Sequence, residues 1–314
     1  MSFSQKIKEE IVLNDFTVEE EKAILSSMIK IIGTLSINSN GLSLLLRTEN
    51  AKIASKLHKM LKELYDPVIE FKVSRKMKLK KNNVYYLQVS KAKEILDDLN
   101  LYDTIVSNEV PSVEFRNDES VRAYLVGVFL STGSVNDPST SNYHLEMRVT
   151  SYEYATFICA LMNQYELSAK IIQRRNQYVV YLKSAEKIGD FIRALGAGES
   201  AMEFEITRID RSMYNTVNRV NNCDIANEVK IIKAAQSQME DIAVIFEKVG
   251  LELLDPKTQI VAKLRIDHPE ASLNELIEAY EEETGQTISK ASLHRRFAKI
   301  KTEADKIRKL ENND

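Results

Sequence analysis

A dense run of cationic side chains lies near the end of the 314-residue chain, between Ser289 and Leu310. This stretch holds eight lysines and arginines but only two acids, Glu303 and Asp305. Lysine and arginine neutralise phosphate groups, and several polar side chains also bond to the edges of bases. The run therefore favours the binding of nucleic acid. Its candidate residues are Ser289, Lys290, Ser292, His294, Arg295, Arg296, Lys299 and Lys301.

The sequence around this run predicts the helices that would position it. Asp255-Pro256 is typical of a helix start, and His268-Pro269 of the end of that helix. Ser272-Leu273-Asn274-Glu275 is a capping box for a second helix, which Gly285 ends. Ser289 is a cap for a third helix. The predicted inward face of the third helix consists of Ala291, Leu293, Phe297 and Ile300.

Two helices joined by a short turn, with another helix packed against them, are typical of a helix-turn-helix domain. The last helix of such a domain enters the major groove of DNA, and its first residues contact base edges. The predicted base contacts are Lys290, Ser292, His294 and Arg295, and the predicted phosphate contacts are Arg296, Lys299 and Lys301. A merely solvated helix face is the alternative, and the capped helix before the turn argues against it.

An internal repeat occupies the first two hundred residues. The first copy is predicted to consist of a helix over 19–32, strands over 34–37 and 42–48, a helix over 50–64, strands over 68–74 and 84–89, and a helix from 91. The second copy is predicted as a helix over 119–130, two short strands around 136–142, a helix over 152–165, strands over 169–174 and 178–182, and a helix over 184–195. Gly33 and Gly133 end the opening helices, and Asn38–Gly41 is a hairpin turn signature.

The two opening helices are predicted to pack side by side about a pseudo-twofold axis, since glycine and serine let backbones approach closely. The hairpins of both copies would then form one saddle-shaped antiparallel sheet. Basic residues lie on the second hairpin of each copy, where such a sheet would offer them to DNA. They are Lys72, Arg75, Lys76, Lys78, Lys170, Arg174 and Arg175. Exposed tips that carry charge for solubility or edge protection are the alternative.

One opening helix resembles a known motif. Leu125–Gly133 resembles the LAGLIDADG helix of homing endonucleases, and Leu25–Gly33 is a weaker copy. That resemblance implies a Mg²⁺ ion held by a carboxylate at the penultimate position of each motif. Here those positions are Ile32 and Thr132, which supply no anionic oxygen ligand. The nuclease scaffold is therefore expected without its metal site.

Acids displaced from the motif helices are the other route to a metal site. Asp137 and Glu146 follow the second motif, whereas only Glu49 lies near the first. We interpret Asp137 as a surface turn residue and Glu146 as a strand carboxylate. The four histidines have no ligand spacing, and no nucleophile triad is recognisable. The sequence predicts no catalytic residue, no metal site and no cofactor.

Two further segments, Arg122–Pro138 and Asn218–Asn227, resemble the WhiA family of bacterial regulators, and the resemblance runs nearly the whole chain. It implies sequence-specific binding of double-stranded DNA, linked to transcription, cell division and chromosome segregation. The family was named for sporulation in filamentous bacteria. Other proteins are further possible partners of the LAGLIDADG-like domain, and the oligomeric state stays open.

The second of these segments leads into a long helix, predicted over 225–249 with Asp224 as its cap. Polar residues at the start of a helix bind phosphate in many proteins. Two roles are equally compatible with them here, phosphate binding at the helix terminus and bracing between domains. The residues are Arg219, Asn221, Asn222, Asn227 and Lys230.

The composition is that of a folded protein, with 44% hydrophobic and 28% charged residues. Cys159 and Cys223 are predicted to be buried thiols in a reducing cytosol. The chain shows no signal-peptide run and no apolar stretch of about 18 residues, which excludes a spanning helix. We expect a cytoplasmic, nucleoid-associated protein that does not contact a membrane.

The predicted fold class is α+β, with two pseudo-symmetric αββαββα repeats followed by an all-α domain. The predicted ranges are 1–104 and 105–200 for the repeats, 201–254 for a linker with a long helix, and 255–314 for the helix-turn-helix domain. The favoured function is that of a DNA-binding regulator without nuclease activity. The alternatives are an active homing endonuclease or maturase, and a scaffold for a protein or small effector with incidental DNA contact.

Overall fold

The computed structural model describes residues 2–38, 41–75, 83–105, 109–111, 113, 115–140 and 142–311. The chain forms two compact units, Met1–Ser212 and Met213–Asp314. The first unit contains both repeats, and the second contains the C-terminal helices. Each unit has its own hydrophobic core.

Both repeats have the predicted αββαββα order. A helix α1 (Phe3–Ile11) precedes the first repeat, which consists of α2 (Val18–Ile32), β1 (Gly33–Asn38), β2 (Gly41–Thr48), α3 (Ala51–Tyr65), β3 (Ile69–Arg75), β4 (Asn83–Val89) and α4 (Ala92–Asp98). The second repeat consists of α5 (Asp118–Thr132), β5 (Ser134–Val135), β6 (Leu145–Val149), α6 (Tyr152–Gln164), β7 (Lys170–Arg174), β8 (Gln177–Leu182) and α7 (Ala185–Ala194). The α+β fold class is thereby confirmed.

Helices α2 and α5 pack against each other, as predicted. A Cβ atom on Gly127 would lie 2.0 Å from Ser27 Oγ and 2.4 Å from the carbonyl oxygen of Ile24. Ser27 is fully buried, and its hydroxyl donates to the Ile24 carbonyl at 3.0 Å. Glycine is required at this crossing because any side chain would collide with the neighbouring backbone.

The prediction of one continuous sheet is wrong. The strands form two four-stranded antiparallel sheets, in the orders β1-β2-β4-β3 and β5-β6-β8-β7. Strand β5 has two residues, and Ser4 of α1 occupies its edge. The Ser4 hydroxyl donates to the carbonyl oxygen of Val135 at 2.8 Å and accepts from its N–H at 2.7 Å. Helix α1 was not predicted, although Phe3, Ile7 and Ile11 recur every four residues and are buried.

Helix α8 (Gly198–Lys248) spans 51 residues, so the predicted start at residue 225 with Asp224 as cap is wrong. No glycine or proline lies between Glu199 and Val249, so no strong helix breaker interrupts the segment. The five polar residues of this segment are therefore exposed mid-helix residues, and the phosphate site predicted at a helix terminus is not formed there. They are Arg219, Asn221, Asn222, Asn227 and Lys230. None of the described helices, α8 included, is both long and apolar enough to cross a membrane.

The cysteines differ in their exposure. Cys159 is half-buried, its Sγ lies 3.2 Å from the carbonyl oxygen of Ala169, and burial raises the pKa of its thiol. Cys223 is exposed on α8, so the prediction that both thiols are buried is wrong for this residue. The apolar character of cysteine does not show which face of a long helix it occupies.

The C-terminal helices are α9 (Pro256–Asp267), α10 (Leu273–Thr284) and α11 (Lys290–Glu311), after a short 3₁₀ turn (Leu251–Leu253). Asp255 caps α9, Ser272 and Glu275 form the predicted capping box of α10, and Ser289 caps α11. The prediction that Ala291 faces inward is wrong, because this residue is exposed. The buried residues of α11 are Leu293, Phe297, Ile300 and Ala304.

Candidate nucleic-acid interface

The turn between α10 and α11 directs the start of α11 outward. Gly285 ends α10 with a φ of 67°, a left-handed conformation that favours glycine. Ile288 is buried and anchors the turn in the core of the second unit. The Ser289 hydroxyl then accepts from the N–H of Ser292 at 3.2 Å. The first turn of α11 is thereby fixed at the surface, with Ser292 half-buried.

The outward face of α11 combines one arginine with small side chains. Ala291, Arg295 and Ala298 are spaced by four and three residues and are all exposed, so they share a face of the helix. Small side chains permit a close approach of this face to a groove, and alanine methyl groups also contact thymine methyl groups in complexes of other proteins. Sequence reasoning missed Ala298 and placed Ala291 in the core.

Positive charge flanks this outward face. Lys290, His294 and Lys301 are exposed residues of α11, as is Arg295. Across the ranges that the structure describes, Lys290, Arg295 and Lys301 form no ion pair. Their charges are therefore available to an anionic partner. We use the term α11 face for Lys290, Ala291, His294, Arg295, Ala298 and Lys301.

The other two predicted phosphate contacts are engaged inside the domain. Lys299 Nζ donates to Asp255 Oδ2 at 2.8 Å, and an Arg296 guanidinium nitrogen lies 3.3 Å from Asp255 Oδ1. The same Arg296 nitrogen donates to the Thr258 hydroxyl at 3.2 Å. Hydrogen bonds from Lys299 and Thr258 hold the pKa of Asp255 well below its usual range. The structure thus places Arg296 and Lys299 against the start of α9, not on the α11 face.

Further cations of α11 are paired as well. Arg308 donates to Asp241 Oδ1 of α8 at 2.7 Å and also lies 3.2 Å from Asp305. Lys306 pairs with Glu303 at 2.9 Å. Among the described residues of α11, the cations without an ion pair are therefore Lys290, Arg295, Lys301 and Lys309, which lie in both halves of the helix. Charge counting along the sequence does not distinguish paired cations from unpaired ones.

A buried arginine fixes the turn between α9 and α10, and sequence reasoning missed it. Arg265 is 2% exposed, and its guanidinium donates to the carbonyl oxygens of Ala271 and His268 at 2.6 and 3.2 Å. Its Nε donates to Gln238 Oε1 at 3.0 Å. The guanidinium also lies 5.5 Å from the centroid of the Phe297 ring on α11. Arg265 therefore positions α10 and α11 relative to α9.

The basic hairpin residues are less uniform than predicted. In the first repeat, Lys72 Nζ lies 3.5 Å from Glu70 Oε2 and donates to Gln88 Oε1 at 3.3 Å. Arg75 is exposed. The predicted contacts Lys76 and Lys78 lie outside the described residues. In the second repeat, the exposed residues are Lys170, Arg174 and Arg175. These hairpin residues belong to the first unit, whereas the α11 face belongs to the second.

Glu146 collects several cations in the second repeat. The Glu146 side chain is 8% exposed and accepts hydrogen bonds from Arg148, from Arg174 at 3.2 Å and from His144 at 3.2 Å. Burial raises the pKa of a carboxyl group, but the bonds from Arg148 and His144 outweigh it, so the pKa of Glu146 lies below its ordinary value. Arg174 is therefore partly neutralised within the protein.

The ends of the two motif helices carry no carboxylate. Ile32 and Thr132 are half-buried, and the Thr132 hydroxyl lies 3.4 Å from the carbonyl oxygen of Val128 in its own helix. Asp137 accepts from the N–H and hydroxyl of Ser139 in a surface turn. In the part of the chain that the structure describes, no group of three or more His, Cys, Asp or Glu residues is placed to hold a metal ion.

Three family models match the chain. The WhiA N-terminal LAGLIDADG-like domain matches residues 18–102, the WhiA LAGLIDADG-like domain matches 121–214, and the WhiA C-terminal HTH domain matches 217–304. Together they cover most of the sequence. The helix-turn-helix model includes the second half of α8 as well as α9 to α11.

Curated relatives and solved structures are similar over the full length. A probable cell division protein WhiA of Ligilactobacillus salivarius is 42% identical over 98% of this chain and 98% of its own length. One of Staphylococcus aureus is 41% identical over the same shares of both chains. The crystal structure of full-length DUF199/WhiA from Thermatoga maritima has a TM-score of 0.60 and 25% identity, covering 98% of this chain and 99% of that one.

Proposed function

The chain belongs to the WhiA family, and from that premise we propose that it is a DNA-binding regulator of transcription without nuclease activity. The resemblance to this family, and the name of its relatives as probable cell division proteins, support a link to cell division and chromosome segregation. Double-stranded DNA is the proposed partner. Such a protein acts at the nucleoid, in the cytoplasm.

The α11 face is the observation that carries this proposal. It lies on the last helix of a helix-turn-helix domain and combines exposed Arg295 with two alanines that leave room for a groove. Lys290 and Arg295 lie in the first turns, where base edges come within reach. Lys301 lies farther along the helix and is suited to a phosphate. Arg296 and Lys299 act as braces between α9 and α11 in this assignment.

The loss of nuclease chemistry follows from the motif helices. A two-metal or one-metal cleavage site needs anionic oxygen ligands, and neither Ile32 nor Thr132 supplies one. Glu146, the buried acid nearest in sequence to the second motif helix, is engaged by arginine. Incubation of the purified chain with Mg²⁺ or Mn²⁺ and supercoiled or linear DNA is expected to leave every strand intact. Cleavage that a catalytically unrelated control protein does not show would contradict the proposal.

Binding to DNA is tested with the full chain on fragments recovered by genome-wide crosslinking. We expect Arg295→Gln to weaken specific binding by about tenfold or more, as loss of one base contact does. Lys301→Gln should weaken binding to all duplexes alike and reduce the salt slope by about 1. Fluorescence anisotropy at four salt concentrations measures both effects.

Lys263 provides the matched control, because it is an exposed cation of α9 that lies outside the α11 face. Lys263→Gln should leave specific binding unchanged. An equal loss in Lys263→Gln and Arg295→Gln would show that only overall charge matters. A cell test separates the regulator from a scaffold: Lys290→Gln with Arg295→Gln should fail to complement a deletion strain, whereas a scaffold would retain activity.

A further inference from the structure

The first unit contains a cavity of about 860 Å³ in which positive charge converges. Three cations line it: Lys8 from α1, Arg47 from the end of β2 and Arg75 from the end of β3. One acid, Glu49, also lines it and lies 3.8 Å from Arg47. Among the described residues, Lys8 and Arg75 form no ion pair, so the lining carries an excess of positive charge.

Two helix starts add to this charge. The lining includes Ser2 and Ser4 at the start of the nine-residue helix α1, and Asn50 and Ile53 at the start of the 15-residue helix α3. The N-terminal end of a helix carries a partial positive charge. Two such ends together with three cations form an electrostatic environment that favours an anion.

Lys8 is the most enclosed of the three cations of this lining. Its side chain is half-buried, and its Nζ lies 5.7 Å from the centroid of the Phe129 ring. Burial lowers the pKa of Lys8 to about 8, because no described acid compensates for the loss of hydration. A bound anion would supply that compensation.

The second repeat provides an internal control. Arg148 precedes the cap of its following helix, Ser151, by three residues, just as Arg47 precedes the cap Asn50. Arg148 also lines a cavity beside the end of a motif helix, but that cavity measures about 210 Å³. The repeats differ at the position two residues before the arginine. The second repeat has the buried acid Glu146 before Arg148, whereas the first repeat has Leu45 before Arg47.

We propose that the larger cavity, called here the α1 cavity, binds the phosphate groups of a small molecule of nucleotide size. Its volume lies in the range of ligand sites. The ring of Tyr85 is half-buried in the lining and offers a flat surface to a base. Residues of α1 line one side of the cavity, and Lys8 is half-buried there, which favours a small ligand over a duplex. The cavity lies in the first unit, whereas the α11 face lies in the second.

Calorimetric titration of the full chain tests this proposal, with pyrophosphate and ATP as probes in EDTA at fixed ionic strength. We expect saturable binding of one equivalent of each probe. Arg47→Gln and Lys8→Gln should each weaken binding by about tenfold, as loss of a charged hydrogen-bonding group does. The absence of saturable binding of both probes at about 1 mM would overturn the proposal.

A second variant neutralises the positive charge of Arg47 without replacing a residue that lines the cavity. Leu45→Glu gives the first repeat the acid that the second repeat has, and it should also weaken binding by about tenfold. Arg175→Gln is the matched control, since Arg175 is an exposed hairpin arginine outside the cavity. Equal weakening in Arg175→Gln would overturn the assignment. Thermal unfolding identifies any variant that has not folded, and the exposed Arg47 side chain keeps the test valid if Lys8→Gln fails to fold.

A duplex of random sequence separates the two sources of phosphate. Under the proposal, excess duplex leaves ATP bound in the α1 cavity, and Arg47→Gln binds the duplex as the unchanged chain does. Displacement of ATP by the duplex, together with weaker duplex binding by Arg47→Gln, would assign the cavity to the DNA backbone and overturn the proposal.

Discussion

In the second repeat, the buried Glu146 binds Arg148 and Arg174, whereas in the first repeat Leu45 stands where that acid would be. The two repeats otherwise have the same order of elements and share one hydrophobic core. The second repeat thus pairs Arg148 and Arg174 with a buried acid, whereas Arg47 and Arg75 of the first repeat line a cavity and lack such a buried partner. The comparison teaches that the two copies of a duplicated scaffold can keep the same element order while the pairing of their charges diverges.

The largest effect is expected where the two repeats meet. Gly127→Ala should lower the free energy of unfolding by about 3 kcal/mol, because the new methyl group overlaps Ser27 Oγ and the Ile24 carbonyl. Both repeats should unfold together at a lower urea concentration, since the α2–α5 contact belongs to both. Circular dichroism during urea unfolding measures the change.

Gly198→Ala is the control for this substitution, as an added Cβ there has no neighbour within 4 Å. It should change the free energy of unfolding by less than about 0.5 kcal/mol. If Gly127→Ala were equally neutral, the close helix crossing would not contribute to stability, and the repeats would have to be treated as separate domains.

A smaller loss of stability is expected when Glu146 of the second repeat is replaced by leucine, the residue type of Leu45 in the first repeat. Glu146→Leu should lower the free energy of unfolding by about 1–2 kcal/mol at pH 7, because charged hydrogen bonds to two arginines and His144 are lost. Folding lowers the pKa of Glu146, so the ionised carboxylate stabilises the folded protein at any pH above its unfolded-state pKa of about 4.3. This stabilisation is lost as the pH falls through the lower pKa that Glu146 has in the folded protein.

The difference between Glu146→Leu and the unchanged chain should therefore narrow below about pH 4. Urea unfolding at pH 7 and at pH 3.5 measures it. Glu186→Gln, at an exposed carboxylate of α7 with no partner among the described residues, should show little difference at either pH. If Glu146→Leu lowered the free energy of unfolding by the same amount at pH 7 and at pH 3.5, packing and not charge would explain the loss of stability.

The smallest effect concerns the edge of the second sheet. Ser4→Ala should lower the free energy of unfolding by about 1 kcal/mol, because the N–H and carbonyl of Val135 both lose their hydroxyl partner. Ser237→Ala, at an exposed serine of α8, should be neutral within about 0.5 kcal/mol. Hydrogen exchange at Val135 should increase in Ser4→Ala. Unchanged exchange would show that α1 does not protect this edge.

Local signals in the sequence predicted much of the fold. Capping residues such as Ser272 and Ser289 interact with the next turn of the chain, so a few neighbouring residues suffice to recognise them. The repeat was visible for the same reason, since each element repeats its own apolar spacing. The start of α8 was misplaced because Asp224 and the asparagines before it are typical caps, although the helix continues through them.

Contacts between distant residues were beyond sequence reasoning. Asp255 is 41 and 44 residues from Arg296 and Lys299, and nothing in the local pattern pairs them. The same holds for Arg265, whose partners lie on α8 and in the turn before α10. The basic character of α11 was therefore predictable, but the division of its cations into exposed and paired ones was not.

Asp255 limits the general attraction of the domain for nucleic acid. Its carboxylate holds Arg296 and Lys299 as a DNA phosphate would, and so acts as an internal competitor for the backbone of any duplex. With those two cations occupied, fewer counterions are released when DNA of arbitrary sequence is bound. Under the proposed function, discrimination between DNA sites would then depend more on the few side chains that reach bases than on the number of phosphate contacts.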